Sequence, residues 1–411
     1  MDKEIRKKFN YSWVVLGMGT LAVFGALGLA RFGYTMVLPT MQADLGLNNG
    51  QAGLLATVNL IGYLALSIIG GALAARFGIR LIAALGLVLV GAGMVFTGLA
   101  ADFSLIAMWR GLTGIGSGAA NIAVMGLWPA WFSKQKRGLA SGIAVSGSSI
   151  GLIFTGLFVP WVISEYGEDA WRICWFIFGS IALVLAASAY LVLRNNPEEN
   201  GDKSHEGGGV TRVDSGPGVK PIQWGLVYLS LPVWKLGLIY TAFGFSYIIY
   251  MTFFVKYLIG NCGYTGVEAG RLFMYMGWLS LLCGLVWGMV SDSIGRKNTL
   301  IILFSIHAVA YGLFAMGTTA YHFTGSAILF GLTAWSIPAV MAAACGDMLG
   351  PKLAPAALGF ITLFFGIGQA LGPVVGGGIA DATGSFSTAF IVASVVSLSG
   401  AVGSAFMPKI R

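Results

Sequence analysis

Apolar runs of roughly 20 residues recur from one end of the chain to the other. Polar or Gly- and Pro-containing breaks separate them, and each run is long enough to cross about 30 Å of hydrocarbon as a helix. Twelve spans are predicted. The first six run Ser12 to Leu38, Gln51 to Ala74, Leu81 to Leu99, Phe103 to Trp131, Arg137 to Ile163 and Ala170 to Leu193. The second six run Leu231 to Leu258, Val267 to Val290, Asn298 to Gly317, Tyr321 to Cys345, Ala354 to Ala380 and Phe386 to Met407. Between the sets lies Arg194 to Gln223, with Asn195-Asn196-Pro197-Glu198-Glu199-Asn200-Gly201 followed by Gly207-Gly208-Gly209, a composition that reads as a flexible linker. The expected division is therefore 1–193, a six-helix half; 194–223, a linker; and 224–411, a second six-helix half.

Composition sharpens this into an all-α integral membrane protein. The 411 residues are 57% hydrophobic and 10% charged, with a mean hydropathy of +0.82, where a soluble domain carries about 25% charge. The 61 glycines suit close approach of many helices, because small residues replace the missing hydrophobic drive between helices in lipid. Cys174, Cys262, Cys283 and Cys345 show no paired spacing, and all but Cys262 fall in apolar runs, so they read as fillers and neither a disulfide, a metal site nor a cofactor is expected. Met1 to Asn10 reads as a short basic tail without a signal-peptide cleavage pattern.

Charge placement gives an orientation. If the N-terminus is cytoplasmic, Lys3, Arg6, Lys7, Lys8, Arg76, Arg80, Lys134, Lys136, Arg137, Arg296, Lys297, Lys352, Lys409 and Arg411 all fall inside, with the linker basics. The opposite loops, around Gln42 to Gly50, Ser164 to Asp169, Gly260 to Gly266 and Thr318 to Ala320, hold no Lys or Arg. Both termini are expected in the cytoplasm. These flanks account for the net charge of +8, and nucleic-acid binding has no support.

Five basic residues remain out of place: Arg31, Arg110, Arg172, Lys256 and Arg271. Arg172 reads as interfacial beside Glu168 and Asp169, Lys256 can snorkel from the end of span seven, and Arg271 stands one turn from Glu268. Arg31 and Arg110 lie deeper, each about 9 Å outward of its span midpoint. A charge at such depth costs roughly 2.5 to 3.5 kcal/mol even by insertion scales and marks a functional site by default. Helical spacing puts Tyr34 and Thr35 on the stripe of Arg31, and Ser117 and Asn121 on that of Arg110. Every Asp and Glu falls in a tail, loop, linker or span end, so neither guanidinium has an embedded carboxylate, and a carried anion is the economical partner. Asn59, Tyr63, Asn121, Tyr247, Trp335 and Gln369 are the remaining polar candidates, each weighed against a helix-packing hydrogen bond. His307 reads as a packed residue, and Asp102, Asp347 and Asp381 as helix-end residues.

An internal repeat supports the two halves. Gly71-Ala-Leu-Ala-Ala75-Arg76-Phe-Gly78-Ile-Arg80 follows span two and Gly288-Met-Val-Ser-Asp292-Ser-Ile-Gly295-Arg296-Lys297 follows span eight, with Gly, +4, +7 Gly and +9 basic shared. Both segments resemble the loop motif Gly-x-x-x-Asp-Arg-x-Gly-Arg-Lys of the major facilitator superfamily. Arg110-Gly-Leu-Thr-Gly114-Ile-Gly116-Ser-Gly118 and the Gly-rich runs Gly142 to Gly151 and Gly366 to Gly378 extend the resemblance over the whole chain. The first loop departs from the pattern, with Ala75 where the family usually has Asp. The resemblance implies that Arg76, Arg80, Asp292 and Arg296 form a gate latched by charge pairs, while positive-inside anchoring accounts for the same basic residues.

Arg31 and Pro39 also resemble the first-helix Arg and Pro, eight residues apart, of organophosphate antiporters and anion:cation symporters, in which that Arg contacts the substrate's anionic group. Ala30 stands where the symporters commonly have Asp. Gly284 and Gln369 stand where the monocarboxylate and oxalate carriers have Arg and Lys. Arg31-Phe-Gly-Tyr-Thr-Met-Val-Leu-Pro further resembles the first span of a little-characterised bacterial branch.

The expected function is secondary transport of a small organic anion, carboxylate or sulfonate, by alternating access in a bacterial inner membrane, by a monomer. The expected substrate-binding residues are Arg31, Tyr34, Arg110, Asn121, Tyr247, Trp335 and Gln369. Anion exchange, uniport and proton symport all fit the sequence. Two other readings stay open: efflux of lipophilic drug-like compounds, against which the lack of an embedded acid argues for cations, and a sensor that kept the fold and lost transport. No enzymatic constellation and no phosphate loop is visible.

Overall fold

The computed structural model describes residues 11–133, 135–200 and 225–408, and among them every regular element is helical. Helices are what hydrocarbon demands, since each backbone N–H and C=O must be satisfied within its own segment. The spans are α1 (Tyr11–Asp44), α2 (Asn49–Phe77), α3 (Ile79–Leu99), α4 (Phe103–Met125), α5 (Arg137–Tyr166) and α6 (Trp171–Val192). They continue with α7 (Leu231–Cys262), α8 (Gly266–Ser280 and Cys283–Ile294), α9 (Arg296–Met316), α10 (Ala320–Gly350), α11 (Leu353–Thr383) and α12 (Ser387–Ala405). Among the described residues ten helices are long and apolar enough to cross a membrane, and the two pieces of α8, bent by 46°, make an eleventh. The twelfth predicted span, α4, has 23 residues, but Arg110, Ser117, Asn121 and its glycines dilute its hydropathy.

Several boundaries differ from the hydropathy reading. α1 runs on to Asp44, and its middle, Phe24–Phe32, is wound as a π-helix. α4 stops at Met125, with Trp128–Trp131 forming a separate turn of helix. α7 extends to Cys262, so that cysteine also lies in a helix. The basic tail, Met1 to Asn10, and the linker from residue 201 lie outside the described residues.

Packing is mostly local to each set of six. α4 lies against α2 and α3, and α3 against α6, while α7 lies against α11 and α12, and α9 against α12. Across the divide α2 packs on α11, α5 on α8, and α1 on α7. These cross-contacts gather in the middle and toward one end. Asp381 at the end of α11 accepts the Asn49 N–H at 2.9 Å and the Gly50 N–H at 2.7 Å. Thr57 Oγ1 donates to the Ala370 carbonyl at 2.7 Å and Thr35 Oγ1 to the Met251 carbonyl at 2.9 Å. A Cβ at Gly156 would stand 2.6 Å from the Gly270 carbonyl oxygen, so α5 and α8 touch backbone to backbone there. Toward the end that carries Arg76 and Arg296, Cβ atoms on Gly71, Gly142, Gly284, Gly288 and Gly359 would meet nothing within 4 Å.

Candidate functional site

Arg31 sits near the end of the π-helical segment. Gly25, Gly28 and Gly33 allow this wide turn, in which the Gly33 N–H reaches back five residues to the Gly28 carbonyl. Gly28 also meets Gly151 of α5, where a Cβ would lie 2.8 Å from the Gly151 Cα. The extra residue per turn rotates Arg31 relative to the helix C-terminal to it, so a 3.6-residue stripe does not carry across the segment.

The Arg31 guanidinium lies 4.5 Å over the Tyr63 ring of α2 and beside the Tyr247 hydroxyl of α7. Its Nε and Nη2 are buried and have no hydrogen-bond partner. Tyr63 accepts from Asn121 Nδ2 of α4 at 3.0 Å, and Asn121 Oδ1 is also buried without a partner. Tyr247 accepts from Gln369 Nε2 of α11. One cation and its polar neighbours thus draw together α1, α2, α4, α7 and α11. Behind them Tyr240, Phe243 and Phe365 stack with Tyr247 in a nearly parallel group, Tyr240 lying 4.5 Å from Phe365 and Phe243 4.8 Å from Tyr247. His307 packs against Phe243, Tyr311 and Phe330. Tyr240, Phe243 and Tyr247 share one stripe of α7, as Phe365 and Gln369 share one of α11. That spacing is the signal in the sequence for rings that a search for polar candidates passes over.

Tyr34 and Arg110 depart from expectation. Arg110 is 1% exposed, held 4.6 Å from the Tyr34 ring and 5.1 Å from the Trp175 ring. Its Nη1 donates to the Ala30 carbonyl at 2.8 Å, fastening the turn that presents Arg31. It faces the helix-packing side, not a compartment shared with Arg31, although the two charges still repel. Tyr34 is 2% exposed and donates to the Ala52 carbonyl at 2.7 Å, so it joins α1 to α2. Thr35 is spent on Met251, and Asn59 donates to the Arg110 carbonyl at 2.9 Å. Trp335 stands on another flank, 5.5 Å from Phe32, with Nε1 donating to Ser149 of α5 at 3.1 Å.

The repeated loops are unequal. Arg296 Nη1 pairs with Asp292 at 2.5 Å, and its Nε with Asp347 at 2.7 Å. Arg76 instead lies 5.2 Å over Phe77, and Arg80 lies 4.2 Å over Tyr190 while its backbone N–H donates to Asn195. Asp347 and Asp381 therefore do more than end helices, whereas Asp102 caps the Leu105 N–H at 3.0 Å as expected. Arg172 pairs with Asp44 at 3.5 Å and donates to the Gly98 and Ala100 carbonyls, partners that the sequence does not suggest.

A family model described as "Uncharacterised MFS-type transporter YbfB" matches residues 23–403. The chain belongs to this family. It is a multi-pass MFS-type transporter and not an enzyme. It is 24% identical over 385 residues to the hexuronate transporter of Bacillus subtilis, covering 89% of this chain and 87% of that one. It is 23% identical over 427 residues to the probable sulfoacetate transporter SauU of Cupriavidus necator, covering 98% and 95%. In fold this MFS-type transporter matches a bacterial homologue of the human lysosomal transporter Spinster, solved inward-facing and unoccupied, with a TM-score of 0.75 at 17% identity over 97% and 96% of the chains. A mutant form of the nucleoside transporter NupG matches with a TM-score of 0.75 at 12% identity over 96% and 100%.

Proposed function

We propose that this transporter moves a small organic anion, carboxylate or sulfonate, across a bacterial inner membrane by alternating access, with the anionic group held by Arg31. The observation that carries this is the pair of buried, unpartnered Arg31 nitrogens in a chain whose acids all lie outside the middle of the spans. The face of Tyr63 compensates a guanidinium by about 0.5 to 2 kcal/mol, and a charge-assisted carboxylate bond is the stronger partner. Tyr247, Gln369 and Asn121 complete the site, and Trp335 with Phe32 bounds its far side. Two relatives named for hexuronate and sulfoacetate, both organic anions, support the same class.

On the positive-inside orientation the Arg76 and Arg296 end is cytoplasmic and the Asp381 end is outer. The contacts of Asp381 with Asn49 and Gly50 then lie on the outer side, which supports reading this state as closed outward and open inward. Closing the inner end would bring the Asp292, Arg296 and Asp347 group toward Arg76 and Arg80. The test is thermal stabilisation of the purified full chain by carboxylates, sulfonates, neutral sugars and cationic drugs, repeated with Arg31→Ala. Ligand at 100 times its dissociation constant adds about 2.7 kcal/mol, and we expect that gain from an organic anion and its loss in Arg31→Ala. Stabilisation that survives Arg31→Ala, or that comes only from neutral or cationic compounds, overturns the proposal.

A further inference from the structure

We infer that the anion is a hydroxylated monocarboxylate and that Tyr63 and Asn121 read its hydroxyl; this rests on Arg31 as the anion's anchor. Three buried polar atoms without partners meet around one side chain, Tyr63. Arg31 Nε and Nη2 lie over its ring, and Asn121 Oδ1 belongs to the amide bonded to its hydroxyl at 3.0 Å. Because that hydroxyl accepts from Asn121, its own hydrogen is free to donate. Turning the Asn121 amide over exchanges the orphan oxygen for an orphan nitrogen and leaves one group unused either way. A bare carboxylate would satisfy Arg31 and leave Asn121 unpaired. A carboxylate with a hydroxyl near it satisfies both, accepting from Tyr63 and donating to Asn121. The arrangement also limits charge. Arg110, 1% exposed and with only its Nε unbonded, is enclosed by Tyr34, Trp175 and the Ala30 carbonyl, so a second carboxylate or a phosphate dianion would have to part that packing to reach a second cation.

The test is the affinity of the purified full chain for three matched pairs, glycolate against acetate, lactate against propionate, and gluconate against hexanoate. It is measured in the parent, Asn121→Leu, Tyr63→Phe and Arg31→Ala chains. A site built around a hydroxyl rejects the analogue lacking it because its own polar groups stay unpaired, and we expect at least a tenfold preference for the hydroxylated member of one pair. Asn121→Leu should reduce that ratio to within threefold while the deoxy acid still binds, and Tyr63→Phe, which keeps the ring under Arg31, should do the same if the leucine variant does not fold. Equal affinity within every pair, or a preference unchanged in Tyr63→Phe, overturns the inference while leaving Arg31 as anchor. Binding of all six acids unchanged in Arg31→Ala, or of none of them where sugars or cationic drugs do bind, overturns the anchor as well.

Discussion

Arg31 and Arg110 look alike in the sequence, each a lone cation in an apolar run at similar depth, yet their surroundings give them different work. Arg110 is enclosed by two aromatic rings, with Nη1 bonded to a backbone carbonyl and only Nε without a partner, whereas Arg31 keeps both Nε and Nη2 unbonded among the polar side chains of five helices. Tyr34 and Tyr247 divide in the same way, and two conservative variants separate packing from binding. Tyr34→Phe removes the 2.7 Å bond to Ala52, which should cost about 1 kcal/mol of stability. It should lower the melting temperature by a few degrees and leave anion affinity unchanged. Tyr247→Phe takes away the group that joins Arg31 to Gln369 and should weaken anion binding about tenfold by titration. It also leaves the buried Gln369 amide unpaired and should lower melting at least as much as Tyr34→Phe, so affinity is the readout that separates the two. Arg31→Lys keeps the charge but loses the planar fork, so affinity should fall at least tenfold rather than recover. A reversal of the two tyrosine effects would move the site away from Tyr247.

At the scale of the helix, what the sequence reveals and what it hides have physical reasons. Twelve apolar runs stand out because lipid requires them, α4 among them although Arg110, Ser117, Asn121 and its glycines lower its hydropathy. The π-helical turn Phe24–Phe32 is hidden, since it depends on Gly28 meeting Gly151 far along the chain, and a regular helical count across it puts Tyr34 on the wrong face. Asp381 reads as a helix end because its partners, Asn49 and Gly50, lie more than 330 positions away. That contact sets a carboxylate against the N-terminus of α2, a pairing worth about 0.3 to 2 kcal/mol. Asp381→Asn keeps the shape and removes the charge. It should shift the population away from the state closed at this end by about two- to thirtyfold, read as a longer mean distance between spin labels on the α1–α2 and α11–α12 loops. An unchanged distance distribution would make the contact incidental.

For the whole molecule, the two halves repeat a fold without repeating its charges. The second loop carries Asp292 and Arg296, ion-paired together with Asp347 at the end of α10, and the first has Ala75 and leaves Arg76 and Arg80 on aromatic rings. The substitution at Ala75 is legible as a missing acid, but the compensating rings, Phe77 and Tyr190, are not, because ring stacking has no fixed spacing in sequence. Charge is equally one-sided along the translocation path. With Arg31 as the proposed substrate cation, all carboxylates lie at span ends or beyond, leaving no embedded acid to take up a proton with the substrate. A monoanion carried without a proton moves one charge, and the membrane potential then acts on it with about 2.3 kcal/mol per 100 mV, roughly a 50-fold bias in accumulation. In proteoliposomes, net uptake of the anion that binds should therefore rise with an inside-positive potential set by a potassium gradient, and a pH gradient of one unit at zero potential should drive none. Uptake that appears only with anion loaded inside would assign exchange, which moves no net charge for two monoanions, and would replace the predicted response to potential while keeping the absence of proton coupling. Concentrative uptake driven by the pH gradient and indifferent to the potential would overturn it, since a proton symported with a monoanion moves no net charge.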